Sequence, residues 1–200
     1  MMKIGITGGI GSGKTTACKV FEVLGIPVFY ADTVAKELMH TDILLKKELI
    51  SAFGPNSYFP NGELNRKYIS GIVFKDETQL QILNNLVHPA VFRAFDQWVL
   101  NQRNAPYVLK EAALLFESGS FKMCDHTVLV KSPEAIKIER IIKRDHITEA
   151  EVRLRMNKQL PDKEKEKLVD FILYNSEEQL LVTQILTLHE KLLALNPISA

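Results

Sequence analysis

An α/β fold, with a parallel sheet covered by helices on both faces, is what this sequence predicts. Three observations carry it. Short apolar runs recur along the chain as Ile4-Gly5-Ile6, Ile26-Pro27-Val28-Phe29-Tyr30, Tyr107-Val108-Leu109, Thr127-Val128-Leu129-Val130 and Val169-Asp170-Phe171-Ile172-Leu173. Runs of this kind suit strands buried on both faces rather than strands with one wet side. Stretches with helical periodicity separate them, the alternation that produces parallel sheets. A glycine-rich turn joins the first run to the first helical stretch.

Taken in order, the first helix is expected over about Lys14 to Leu24, with Ala17, Val20, Phe21 and Leu24 on one face and Gly25 as its C-terminal cap. The second strand, Ile26 to Tyr30, is closed by Asp32, and a helix follows to about His40. Residues 41–104 read as a helical insertion into a core formed by 1–40 and 105–200, interrupted by turns at Gly54-Pro55 and Asn61-Gly62. Asn65 and Asp76 look like N-caps there, and His88-Pro89 is expected to start a further helix. The strand at Tyr107 leads to Glu111 and then to Leu114-Leu115-Phe116-Glu117. After the Thr127 strand, Ser132-Pro133 is expected to cap a helix running to about Arg144. Thr148 and Glu151 have capping-box spacing and open a polar helix, and a helical lid is expected over about 140–165. A last strand precedes a helix expected from Glu177 to Leu195. In sheets of this type ligands sit beyond the carboxyl ends of the strands. That edge should gather the glycine-rich turn, Asp32, Glu111 and Glu117.

Composition narrows the function classes. With 200 residues and 46% hydrophobic residues the chain can form a full core, as one domain with an insertion. A net charge of +1 argues against a general nucleic-acid binder. Cys18 and Cys124 form neither a CxxC pair nor a disulfide framework, and Cys18 falls on the apolar face of the first helix as a small buried hydrophobe. No apolar run is long enough for a membrane span, and Met1-Met2-Lys3 leads directly into a strand. A cytoplasmic protein without nucleic-acid or membrane partners, monomeric or weakly homo-oligomeric, is the expectation.

The chemistry concentrates at Gly8 to Thr15, which read Gly-Gly-Ile-Gly-Ser-Gly-Lys-Thr. This is a P-loop: Gly, four residues, then Gly-Lys-Thr, between a strand and a helix. Successive backbone N–H groups must curl around a polyphosphate, and Gly9, Gly11 and Gly13 keep that approach open. The helix beginning near Gly13 turns its positive end toward the same phosphates. Lys14 can bridge the β- and γ-phosphates of ATP, and Thr15 offers a hydroxyl to Mg2+. The fold class is therefore of the P-loop NTPase type.

Asp32, just past the second strand, can accept the proton of an attacking hydroxyl, hold magnesium through water, or cap the helix that begins near Thr33. Position does not separate these roles. Arg140 and Arg144 share a helix face, and Arg153, Arg155 and Lys158 follow on the next helix. Cations of a lid can close over a transferring phosphoryl group and replace water there; interspersed Asp145, Glu149 and Glu151 equally fit a solvated surface. Lys163, Lys165 and Lys167, alternating with Glu164 and Glu166, read as a solvated helix face. His126 near Cys124 lacks the second pair that a zinc site requires.

The segment Ile4 to Thr16 closely resembles the opening of dephospho-CoA kinases. Tyr30-Ala31-Asp32-Thr33-Val34-Ala35 is similar to that family's Asp-Ala-Asp-x-(Ile/Val)-Ala segment, His88-Pro89 to its His-Pro element, and Leu114 to Gly119 to its Leu-Leu-Phe-Glu segment. Glu139-Arg140 with Lys143-Arg144-Asp145 resembles its lid start, and Tyr174-Asn175-Ser176 its Asp-Asn segment near adenine. Two positions depart from the pattern. Glu111-Ala112-Ala113 stands where the family often has Asp-x-Pro, and Tyr30 replaces the first Asp of the Asp-Ala-Asp segment.

The resemblance implies ATP-dependent phosphorylation of the ribose 3′-hydroxyl of dephospho-CoA, giving CoA and ADP, the last step of CoA biosynthesis. It favours Asp32 as the base, with Lys14 and Arg140 as catalytic cations. It implies ATP contacts from Gly9, Gly11, Ser12, Gly13, Lys14, Thr15, Thr16, Arg144 and Asn175, substrate contacts from Thr7, Asp32, His88 and Glu117, and magnesium at Thr15. The insertion would hold the pantetheine-bearing substrate. The nearest rival is another small-molecule or nucleoside monophosphate P-loop kinase. A GTPase is disfavoured because Asn157-Lys158-Gln159-Leu160 lacks the Asp of the guanine-reading Asn-Lys-x-Asp motif.

Overall fold

The structure is a computed structural model and describes residues 1–195. Its elements follow in the order β1 (Met2–Thr7), α1 (Lys14–Val23), β2 (Val28–Tyr30), α2 (Ala31–Thr41), α3 (Ile43–Phe53), α4 (Arg66–Val73), α5 (Glu77–Leu100), β3 (Tyr107–Glu111), β4 (His126–Lys131), α6 (Glu134–Asp145), α7 (Glu149–Met156), α8 (Asp162–Lys165), β5 (Phe171–Tyr174) and α9 (Leu181–Leu195). They form two compact units, one of Met1–Tyr30 with the described residues from Asn101 onward, the other of Ala31–Leu100.

The first unit is built on a five-stranded sheet in the order β2-β3-β1-β4-β5, with every pairing parallel. The α/β expectation holds. β1 is central, so Ile4 and Ile6 are fully buried, and the same core includes Ala17, Cys18 and Phe21 from α1 and Ile185, Leu188 and Leu192 from α9. Each fully buried side chain of the Ile, Leu or Phe type contributes about 1.5–3 kcal/mol. Strand alternation turns Gly5 to the other face, where Leu115 and Cys124 fill the space that its side chain would need. Burial raises the pKa of both thiols, of Cys124 to about 11 and of Cys18 further, so each is a small hydrophobe rather than a nucleophile. In register, Tyr30 and Ile6 lie beside Glu111, and Lys131 beside Tyr174, which aligns the carboxyl ends of the strands along one edge.

The second unit is helical. Asp42 caps α3 by accepting from Leu45 N at 3.0 Å, and Asn65 caps α4 by accepting from Tyr68 N at 3.1 Å. Asp76 accepts from Thr78 N at 2.8 Å ahead of α5, as its sequence position predicts. Leu45, Leu49, Phe53, Ile69, Val73, Val91 and Phe95 are among its buried apolar residues, and α5 packs against α2, α3 and α4. Tyr58 Oη donates to Met39 O at 2.7 Å, and Tyr68 Oη to Phe53 O at 2.9 Å.

Local expectations fail at several points. Pro89 does not start a helix; it lies inside α5. A proline there costs the hydrogen bond that its N–H would give Asn85 O, but the helix carries Val87, Ala90, Val91 and Phe95 into buried positions on both sides of it. Packing of that face outweighs one missing bond. Asp32 is not an N-cap: α2 already begins at Ala31, which puts Asp32 in its first turn. Pro133 occupies the N-cap position of α6 with no side-chain cap, and Ser132 Oγ instead donates to Asn175 O at 2.8 Å. α9 starts at Leu181 rather than Glu177, because Ser176 and Gln179 form an isolated bridge first. No helix among the described residues is long and apolar enough to cross a membrane.

Candidate active site

The loop between β1 and α1 has the geometry that its composition demands. Gly13 sits at the N-cap of α1 with φ 93°, a left-handed conformation that disfavours any side chain. A methyl group there would also collide with the Asn175 amide. Gly11 has φ 80°, and a methyl group on it would lie 2.7 Å from Lys137 O. The loop is tied internally by Ser12 N to Gly9 O at 3.0 Å. Asn175, just past β5, donates from Nδ2 to Ser12 O at 2.8 Å, so it supports the loop from behind. Ser12 Oγ is buried and has no hydrogen-bond partner among the described residues, which leaves one hydroxyl over inside the cradle.

Lys14, the first residue of α1, is buried. Its Nζ donates to Gly8 O at 3.0 Å and lies 3.9 Å from Glu111 Oε1. Glu111 ends β3 next to β1, so the sheet register is what brings this carboxylate to the ammonium. Thr15 and Thr16 follow on α1 and are exposed. Thr7 ends β1 fully buried, with Oγ1 donating to Ala113 O at 3.4 Å. Gly9 lines a cavity of about 620 Å³ together with Lys137, Gln159 and Asp162.

Of the two arginines on α6, only Arg140 reaches the loop. Its Nη1 donates to Gly11 O and to Ser132 Oγ, each at 3.4 Å. Arg144 instead forms a two-pronged contact with the neighbouring Asp145, at 2.6 and 3.0 Å. That hydrogen bonding raises the pKa of the guanidinium and lowers that of the Asp145 carboxyl. Arg153 pairs with Glu134 and Glu149, and Arg155 with Asp145, which leaves both engaged on the surface of α7. The capping box at Thr148 and Glu151 forms as the spacing predicts.

A set of contacts invisible in the sequence binds the stretch around α8 to the loop side of the sheet. Gln159 Oε1 accepts from Ile10 N at 2.8 Å. Glu117 Oε1 accepts from Leu160 N at 2.7 Å and lies 3.2 Å from Lys165 Nζ. Lys165 is fully buried, which corrects the reading of 163–167 as a solvated face; it also donates to Ala113 O at 3.2 Å. Lys137 and Asp162 form a largely buried ion pair at 2.6 Å, and Lys131 pairs with Glu166. One signal was available for Lys137, which lies one turn before Arg140 on the same helix face.

Asp32 and His88 belong to the helical unit. Asp32 is exposed in the first turn of α2, and His88 stacks on Phe92 one turn along α5, with ring centroids 6.3 Å apart. No cluster of three or more His, Cys, Asp and Glu that could hold a metal ion occurs among the described residues.

Compared with known proteins, the chain matches the family description "Dephospho-CoA kinase" over residues 2–180. It belongs to the dephospho-CoA kinase family. A dephospho-CoA kinase of Salinibacter ruber is 40% identical over 179 residues, covering 88% of this chain and 89% of the relative. One of Bacteroides fragilis is 35% identical over 187 residues, covering 94% and 91%. The crystal structure of TT1252 from Thermus thermophilus superposes with a TM-score of 0.83 at 31% identity, covering 95% of this chain and 96% of that one. The chain is thus a P-loop kinase of the dephospho-CoA kinase type.

Proposed function

We propose that this chain transfers the γ-phosphoryl group of ATP to the ribose 3′-hydroxyl of dephospho-CoA, giving CoA and ADP. The observation that carries this is the family match along residues 2–180, which includes both the P-loop and the helical unit. The loop alone would fit many kinases.

The residues present fit magnesium-ATP. The open glycine loop, the buried Lys14 ammonium and the unused Ser12 hydroxyl form a set of donors for polyphosphate. Thr15 would hold the metal, which when bound neutralises charge on the phosphates. Lys14 exchanges its Gly8 carbonyl for phosphate oxygens. Arg140, resting on Gly11 O, is positioned to follow the charge on the transferring group. Asp32 takes the proton from the 3′-hydroxyl as that oxygen bonds to the γ-phosphorus, the bond to the β,γ-bridging oxygen breaks, and ADP leaves. The helical unit, with His88, binds the pantetheine-bearing acceptor. Thr7 and Glu117 contribute further contacts to the acceptor.

The test is an ADP-release assay with ATP, magnesium and one acceptor at a time: dephospho-CoA, shikimate, gluconate or a nucleoside monophosphate. Turnover confined to dephospho-CoA supports the assignment. Turnover with another acceptor, and none with dephospho-CoA, would overturn the acceptor and leave the kinase.

A further inference from the structure

We propose that Lys137 is a further phosphate-binding residue of the ATP site, and that Asp162 holds its ammonium in place until nucleotide arrives. A lysine that is only 6% exposed needs a reason to be buried, because removing its charge from water is costly unless the charge is paired. Asp162 supplies the pairing, with Nζ and Oδ2 at 2.6 Å. The place of the pair is what matters. A methyl group built on Gly9 would come within 3.2 Å of Lys137 Nζ and 3.3 Å of Asp162 Oδ1. The pair therefore stands directly against the P-loop, on the wall of the cavity of about 620 Å³ that Gly9, Lys137 and Asp162 share.

A carboxylate at that point opposes the loop's own chemistry. The loop gathers N–H groups and a lysine to bind a polyanion, and a like charge a few ångströms away repels it. Lys137 neutralises that carboxylate in the absence of nucleotide. When a triphosphate enters, its oxygens compete with Asp162 for the same ammonium and offer more negative charge. Lys137 then turns from Asp162 to phosphate, without leaving the cavity wall. Gln159 makes a parallel contact, since its Oε1 occupies the Ile10 N–H at 2.8 Å within the same loop. Arg140 lies one turn further along α6 and touches Gly11, so that α6 presents two cations to successive parts of the loop.

The exchange gives Lys137 and Asp162 opposite effects on nucleotide affinity, which a purely structural ion pair would not. The experiment measures the Kd of magnesium-ATP and of adenosine by calorimetry on the full chain, as wild type, Lys137→Gln and Asp162→Asn, with thermal unfolding to verify the fold. Lys137→Gln is expected to weaken ATP about tenfold and to leave adenosine unchanged. Asp162→Asn is expected to tighten ATP by about threefold or more, because its competitor for Lys137 is gone. Two weakened variants, or a Lys137→Gln protein with wild-type ATP affinity, would overturn the assignment. If Lys137→Gln does not fold, Asp162→Asn decides alone: tighter ATP supports the exchange, and unchanged or weaker ATP overturns it. The inference rests on the ATP-binding reading and not on the acceptor. Wild-type protein that bound no ATP would overturn the site itself, whereas wild-type binding without opposite responses would overturn only Lys137.

Discussion

Asn175 Nδ2 donates to Ser12 O at 2.8 Å, which ties the end of β5 to the bend of the P-loop. The same amide occupies the space that a side chain on Gly13 would enter. The loop is thus held in shape from the sheet edge opposite β2, through the backbone of Ser12.

Asn175→Ala should cost about 1 kcal/mol of stability, the worth of one hydrogen bond, and should weaken ATP binding. Gly13→Ala should cost more, since φ 93° adds about 1–2 kcal/mol of backbone strain to the collision with the amide. In the double variant the collision disappears and the strain remains. Urea unfolding of the three proteins checks this. Equal costs for Gly13→Ala in both backgrounds would show that the amide does not crowd Gly13.

Lys14→Ala should reduce turnover by about 10²–10³-fold, because a cation is lost from the phosphate cradle. The residue is buried between Gly8 O and Glu111, so the fold is also involved. Lys14→Met, which keeps the stem, separates the two effects. Near-native unfolding with lost turnover is the expected result; a Lys14→Met enzyme retaining most of its rate would remove Lys14 from the chemistry.

Arg140→Ala should lower kcat by about 10³-fold and change the ATP affinity much less, as expected of a cation that serves the transition state. Arg140 is exposed and its contacts to Gly11 O and Ser132 are long, so stability should change by about 0.5 kcal/mol or less. Steady-state kinetics beside direct ATP binding provides the check. An unchanged kcat with weakened ATP would make Arg140 a ground-state contact.

What was legible in the sequence was what local chemistry demands. Gly11 and Gly13 must be glycine for backbone reasons, and apolar runs such as Thr127 to Val130 can be buried only in a covered sheet. The Thr148 capping box is fixed by a spacing of side chains within one turn. What was not legible depended on partners far along the chain. Lys165 looks solvated within its charged run, and only the fold brings Glu117 and Ala113 to it. Lys137 and Asp162 are unremarkable until α6 and α8 meet beside Gly9. The breaker signal of Pro89 is local and carries nothing of the burial of Val87, Val91 and Phe95 around it.

His189 makes stability depend on pH. Its Nδ1 lies 2.7 Å from Tyr107 Oη, and burial lowers the imidazole pKa below the ordinary value of 6.5. The unfolded chain therefore takes up a proton more readily than the folded one as pH falls. Stability should be constant above about pH 6.5 and decline below it. His189→Gln should flatten this part of the profile. Urea midpoints between about pH 7.5 and about pH 5.5 provide the check; an identical decline in the variant would assign it to other groups.

Asp32 carries the proton-transfer step of the proposed reaction, and its place in the structure sharpens the test. As a cap it would have been needed to close the first turn of α2. The helix starts at Ala31 instead, so that Asp32 is the second residue of its first turn and is exposed. Its carboxylate favours that helix end only through the dipole, an effect of about 0.3–1 kcal/mol. Asp32→Asn is close to isosteric and should leave unfolding within that range. If Asp32 accepts the ribose proton, kcat should fall by about 10²-fold or more with ATP affinity retained. Raised magnesium should partly restore a variant whose lost carboxylate held the metal through water, and should not restore one that lacks its base. Turnover of Asp32→Asn should therefore be measured across a magnesium series with dephospho-CoA as acceptor. Full activity at ordinary magnesium would overturn Asp32 as the base, while the kinase assignment, which rests on the family match and the P-loop, would stand.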